Sequence, residues 1–306
     1  MVIVAPEEVL EGSFEDGLDL SEDPPHPDTI QVVEMPEKGG KGAVASRDVD
    51  VGEDVAIMRP VGLFPTNTPL WSTSYGRNIR RQAIDHLPMR TRAAIARLYG
   101  EGESEDEFIS SVIDVNTFTS FLKTDMDFGA VVLEGSRLNH ACRPNVIYSM
   151  EPLAQLLHLK AIKPIAKGEE LTISYLESKI RHESLEEFYG FDCRCSHCQM
   201  RGELRDQSDR RVSRIAELQA RSRYNDDDFS ADEVEEFVDI CKKENIPPCM
   251  LTASMIAVNF YNSVGETKRA KEHAKVAMEM GLLTNRISLD DINQLELILN
   301  PPQKQY

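Results

Sequence analysis

Asn139-His140-Ala141-Cys142-Arg143-Pro144-Asn145 sets two amides, an imidazole, a thiol and a rigid proline within seven residues. Such a stretch makes a poor core strand and a good ligand-shaping loop. Taken alone, His140 suits a satisfied structural histidine. Downstream, Gly168-Glu-Glu-Leu171-Thr-Ile173-Ser-Tyr175 reads as a strand whose Leu171, Ile173 and Tyr175 share one face, so the phenol points inward. A buried tyrosine is ordinarily core with its hydroxyl bonded. Further on, Cys193-Arg-Cys195-Ser-His197-Cys198 holds three of the six cysteines of the chain. Thiolates at this spacing suit one tetrahedral Zn²⁺ that takes its fourth ligand from elsewhere. Cys142, His197, Cys241 and Cys249 are the candidates, and chain spacing does not choose among them.

The chain around these motifs has 306 residues and a formal charge of −18, with 41% hydrophobic and 28% charged residues. That is enough apolar material for a real core, in one large domain or two modest ones. The acidic excess and the lack of a basic stripe argue against nucleic-acid binding and favour a basic partner such as a lysine-rich tail. No signal-like start and no long apolar run occur, which reads as a soluble intracellular protein of the nucleus or cytoplasm. Half of the charge excess lies in Glu7 to Asp28, where nine acids meet no Lys or Arg and three prolines crowd at Pro24, Pro25 and Pro27. Residues 1–28 therefore read as an acidic leader, mobile or only loosely docked.

Two segments echo each other, Ala45 to Glu53 and Ala161 to Glu169, each read as strand, glycine turn, strand, with Gly52 and Gly168 supplying the turns. Between them Met89 to Tyr99 reads as a helix opening after Pro88 and stopping at Gly100. Beyond Cys198 the pattern turns helical. Ser230-Ala-Asp-Glu233 is a capping box leading into Val234, Phe237, Val238 and Cys241. Leu251 to Ser263 and Glu266 to Met280 form two helices broken at Gly265 and closed by Gly281. Ala257, Tyr261, Ala270, Ala274 and Ala277 resemble one tetratricopeptide-like helix pair.

Together, and in this order, the motifs resemble those of the SET-domain protein lysine methyltransferases. Asn139 to Asn145 is similar to that family's Asn-His-Ser-Cys-x-Pro-Asn, with Ala141 in place of Ser. Gly168 to Tyr175 is similar to its Gly-Glu-Glu-Leu-Thr-x-x-Tyr, Cys193 to Cys198 to its post-SET zinc cluster, and Gly40-Lys41-Gly42 to its opening Gly-x-Gly strand. Asn116-Thr-Phe118 and Tyr189-Gly-Phe191-Asp-Cys193 resemble the SMYD branch more closely. That branch's Cys/His-rich MYND finger has no counterpart, because no cysteine precedes Cys142, and recruitment of partners through such a finger is not expected.

The resemblance implies an α+β chain: a β-rich, knotted SET domain over 29–176 with a helical insert near 73–115, a post-SET zinc segment over 177–200, and a helical, tetratricopeptide-like domain over 201–306. It implies an S-adenosylmethionine pocket made by Gly40, Lys41, Gly42, Asn116, Asn139 and His140, with Phe191 against the adenine. Tyr175 becomes the catalytic tyrosine and Tyr189 a wall of the lysine channel. Cys142 becomes the fourth zinc ligand beside Cys193, Cys195 and Cys198, while Cys241 and Cys249 remain helix-core or surface thiols. The implied activity is lysine N-methylation of a histone or another basic protein by a monomer that binds neither nucleic acid nor membrane. The rival readings are a SET-like scaffold without turnover and a zinc-stapled adaptor acting through its helical tail.

Overall fold

Short β-branched and aromatic runs separated by glycine turns fill the first half of the chain, and alanine-rich amphipathic runs fill the last third, so strands and helices segregate along the sequence. The structure, a computed structural model, describes residues 1–15, 17–21, 24, 28–122, 126–175, 185–186, 189–223 and 229–301. Parts of the expected leader and much of the expected link into the cysteine cluster, residues 176–184 and 187–188, lie outside the described residues. The chain divides into two units. One comprises Met1–His140, Pro144–Ile173 and Glu187–Gly190; the other comprises Ala141–Arg143, Ser174–Glu186 and Phe191–Tyr306.

The first unit runs β1 (Val2–Ile3), α1 (Glu7–Glu15), β2 (Ile30–Met35), β3 (Gly40–Ala45), β4 (Asp54–Met58), β5 (Gly62–Pro65), α2 (Ser74–Asp85), α3 (Met89–Ile95) and α4 (Glu105–Val115). It continues with β6 (Thr117–Phe121), β7 (Asp127–Val131), β8 (Asn139–His140), β9 (Val146–Glu151), β10 (Leu156–Ala161) and β11 (Thr172–Ile173). The strands form sheets in the orders β1-β5-β7-β6, β4-β10-β9, β2-β3 and β8-β11. Among the described residues, only β1 with β5 and β8 with β11 pair in parallel.

In the four-stranded sheet β5 and β7 are buried on both faces. Successive side chains alternate, so Phe64 and Val131 join the core under α2, α3 and α4, while Leu63, Phe128 and Ala130 point the other way. That second face needs a cover. Leu18 supplies it as a buried member of the cluster, with Ile3, Val9 and Leu20 packed alongside. Within the expected leader the described acids up to Asp19 face water, and a few apolar residues close the sheet. Ser13 Oγ ties the segment down by donating to the carbonyl of Leu122 at 3.2 Å.

The insert is built on local signals. The Thr73 hydroxyl accepts from the Gly76 amide at 3.0 Å at the start of α2, and Ser104 with Glu107 forms a capping box at α4. Arg80, buried beneath this helical layer, stacks 4.5 Å over Trp71 and donates to Asp114 at 2.8 Å. The echoed segments behave differently from two hairpins. Each makes its glycine turn, with φ of 85° at Gly52 and 83° at Gly168, but their hydrogen bonds run to each other. Val49 and Ile165 exchange both backbone bonds at 2.9 Å, and Gly168 and Glu169 bond across to Ala45. Two copies of one strand-turn pattern are complementary along an antiparallel ladder, which lets either take the other as partner.

The second unit holds α5 (Gly202–Arg223), α6 (Ala231–Glu244), α7 (Pro247–Ser263), α8 (Thr267–Thr284) and α9 (Leu289–Leu299). Ser230 and Glu233 make the expected capping box, and Val234, Phe237 and Cys241 are buried. Ala253, Ala257, Ala270, Ala274 and Ala277 are fully buried, small enough to bring α7 and α8 into close contact. Gly265 turns the chain between them with φ 77°. Gly281, expected to end the helix, instead lies inside α8, which closes at Asn285 with φ 50°. A Cβ at 281 would stand 2.7 Å from the Ile287 Cβ, so the glycine serves a close approach. Gly281→Ala should cost about 1–3 kcal/mol, read as a lowered thermal midpoint; an unchanged midpoint would show that Ile287 can step aside.

Candidate functional site

Asn139 and His140 form β8 and pair in parallel register with Thr172 and Ile173. The bend after them is held by Asn145. Its amide donates to the Glu170 carbonyl at 2.8 Å and to Glu169 Oε1 at 3.1 Å, and its oxygen accepts from the Thr172 amide at 2.9 Å. The Asn139 amide donates to Glu170 Oε1 at 3.0 Å, and the same carboxylate receives Lys38 Nζ at 2.6 Å. Gly42, buried in β3, faces this point. A Cβ there would lie 2.3 Å from Met35 Sδ and 2.7 Å from the Asn139 amide nitrogen. Gly42 therefore lets the Met35 and Asn139 side chains pack directly on the β3 backbone, and any larger residue at 42 would collide with both.

The other expected pocket residues of this unit are placed less directly. Gly40 opens β3 with nothing near its Cα substituent position. Lys41 pairs with Glu34 at 2.8 Å. Asn116 caps α4, spending its amide hydrogens on the Tyr99 and Val112 carbonyls, both at 2.8 Å. His140 is buried in β8. Tyr189 is half-buried, and burial, with Tyr148 nearby, raises its phenol above the ordinary value, so it is neutral near pH 7. Tyr148 itself meets Phe118 edge to face at 5.0 Å. Sequence reading missed Tyr148, whose only signal was an aromatic residue on β9.

In the second unit Tyr175 lies just past β11, half-buried and outside the strand in which sequence reading set it. Its ring and that of Phe191 meet edge to face at 6.3 Å and 90°.

The sulfurs of Cys142, Cys193, Cys195 and Cys198 all lie within 4.8 Å of one another. Cys142 is 3.9 Å from Cys193 and 3.3 Å from Cys198. Ligands about 2.3 Å from a tetrahedral zinc ion stand about 3.8 Å apart, so the spacing suits one ion. His197 is buried but is not a member of the cluster. Hydrogen bonding, first from Cys142 and also from Cys198, brings the Cys195 thiol down to about 5. Cys142 is pushed up by its bonds to Cys193, Cys195 and Cys198. Cys142 lowers Cys198, yet Cys193 and Cys195 outweigh that effect and push it up. Four adjacent thiols can share one negative charge, and full ionisation needs a cation among them. The donor set and its spacing fit zinc.

The remaining two cysteines correct an expectation. Cys241 and Cys249, read as helix-core or surface thiols, are bonded as a disulfide with Cα atoms 5.6 Å apart. The tight turn from α6 into α7 brings the two buried side chains together. Under denaturing, non-reducing conditions with chelator, four cysteines should react with a thiol reagent, and six after reduction; six before reduction would show the pair open.

No described helix is long and apolar enough to cross a membrane. The SET domain family matches residues 40–176. Histone-lysine N-methyltransferase set5 of Schizosaccharomyces pombe is 26% identical over 193 residues, covering 61% of this chain and 54% of the relative. Protein-lysine N-trimethyltransferase SMYD5 of Danio rerio is 36% identical over 104 residues, covering 31% of this chain and 25% of the relative. Histone-lysine N-methyltransferase SMYD1 of Homo sapiens is 36% identical over 77 residues, covering 20% and 16% respectively. The chain thus spans about half of the fission-yeast relative and about a quarter or less of the other two.

Proposed function

Because the chain carries a SET domain over residues 40–176 and is related to SMYD-type proteins, we propose that it is an S-adenosylmethionine-dependent protein-lysine N-methyltransferase. The observation that carries this reading is the close packing of the Asn139 side chain on Gly42 inside that domain, where a Cβ at 42 would come within 2.7 Å of the Asn139 amide nitrogen. S-adenosylmethionine, when bound, supplies a methyl group on a sulfonium sulfur. Gly40, Lys41, Gly42, Asn116, Asn139 and His140 would hold it, with Phe191 on the adenine side. The Asn116 amide hydrogens bond to the Tyr99 and Val112 carbonyls, so its part in holding the cofactor would fall to its side-chain oxygen.

The remaining chemistry belongs to the protein. The target lysine must arrive neutral, and an aromatic wall at Tyr189 favours that form by desolvating the ammonium group. Alignment of the amine with the methyl carbon and the sulfur replaces the need for a strong base. The Tyr175 hydroxyl stabilises charge around the moving methyl. Cys142, Cys193, Cys195 and Cys198 would hold one zinc ion that orders the segment carrying Phe191. A knotted threading, supported by the parallel pairing of β8 with β11, and a tetratricopeptide-like tail complete this reading. The substrate is a basic protein segment such as a histone tail, attracted by the net charge of −18. The enzyme acts as a monomer in the nucleus or cytoplasm, without nucleic acid.

The test is a radiolabelled-methyl transfer assay on mixed histones and a whole-cell lysate. Label in a protein band, sensitive to the demethylated cofactor product, supports the reading. Tight cofactor binding with no transfer to any protein would move it to a non-catalytic scaffold.

A further inference from the structure

Three of the clustered cysteines come from one short segment, whereas Cys142 comes from a loop 51 residues away from Cys193 in sequence. A ligand delivered from so far must be held by something other than its neighbours in the chain. Arg143, the next residue, shows what holds it. Its Nε donates to the Glu244 carbonyl at 2.7 Å, its Nη2 to Glu244 Oε2, and its Nη1 to the carbonyl of Cys142 itself at 2.7 Å. One guanidinium therefore bridges the cysteine's own backbone and the last turn of α6.

The Glu244 carboxylate is only 2% exposed. Its Oε1 accepts from Arg211 Nε at 2.7 Å and its Oε2 from Ser208 Oγ at 2.8 Å, both on α5. Burial works to raise this carboxyl, but the bonds from Arg143, Ser208 and Arg211 outweigh it and keep the group below the usual carboxylate range. A buried charge so fully bonded has little freedom, because breaking any arm would leave charge uncompensated in the interior. Glu244 also sits within the eight-residue span closed by Cys241 and Cys249, which pins its backbone.

We propose that Glu244 is a positioning residue of the metal centre: through Arg143 it holds the loop bearing Cys142 ready for the ion, so the C-terminal helices set how tightly zinc is held. This rests on the zinc reading above. Outer residues that orient metal ligands govern affinity by about 10- to 100-fold.

The experiment uses the full chain, stripped of metal and reloaded with Zn²⁺ or Co²⁺ against a chromogenic chelator, with helicity followed by circular dichroism. Glu244→Gln keeps the shape and removes the charge. Arg143→Gln cuts the link while leaving Arg211 and Ser208 on Glu244, and so reads the proposal even if Glu244→Gln fails to fold. Glu236→Gln, which removes an exposed partner of Arg214 on the same helix, is the control. The wild type and the control should bind one ion equally well. Glu244→Gln and Arg143→Gln should each bind about 10- to 100-fold more weakly, with the cobalt–thiolate band reduced at equal loading and the double variant no weaker than the worse single one. Folded single variants with wild-type affinity would overturn the proposal. A wild type that binds neither ion would instead bring down the zinc reading beneath it.

Discussion

Tyr175→Phe should leave the protein folded and lower methyl transfer by about 100- to 1,000-fold, the usual cost of removing one hydroxyl or amide that stabilises a developing charge. The side chain is half-buried, and its ring meets Phe191 edge to face at 6.3 Å. Phenylalanine keeps that ring contact and loses only the oxygen. The loss should therefore fall on turnover, with thermal midpoint and cofactor affinity close to wild type. Single-turnover transfer of labelled methyl, beside equilibrium cofactor binding, separates the two. Equal turnover in the variant would remove Tyr175 from the chemistry, and a collapse of the midpoint would mean that its hydroxyl is a core hydrogen bond.

Removal of zinc should have an effect of similar reach by a different route. A zinc ion on the four sulfurs, which all lie within 4.8 Å of one another, would close a link between Cys142 and the segment Cys193 to Cys198. Chelation, or Cys195→Ser, should abolish activity. At zinc a thousandfold above its Kd the ion contributes about 4 kcal/mol, so its loss should lower the thermal midpoint by on the order of 10 °C. Acid should act as chelator does. Cys142 and Cys198 are pushed up by their neighbours, protons compete with the ion for both, and affinity should fall as pH falls. Full activity and an unchanged midpoint in verified metal-free protein would reduce the cluster to four neighbouring thiols with no metal role.

Much of the local structure could be read along the chain because its causes are local. The capping box at Ser230 and Glu233, the helices on either side of Gly265 and the helical insert between β5 and β6 each follow from residues within a few turns of one another. The same holds for Cys193, Cys195 and Cys198, whose spacing is itself the signal for a metal.

What escaped the sequence depends on distant partners. Nothing near Leu18 indicates that β5 and β7 present a bare face for it to cover. Nothing in Ala45 to Glu53 states that its hydrogen bonds go to its echo more than a hundred residues later. Gly281 has the look of a helix end until Ile287 is seen against it. The Cys241–Cys249 bond and the Arg143–Glu244 clamp belong to the same class. Propensity, capping and short ligand spacing are properties of neighbouring residues and survive as sequence patterns. A long-range contact is chosen by the whole chain, from among many partners of similar chemistry, when burial repays the entropy of closing the loop between them.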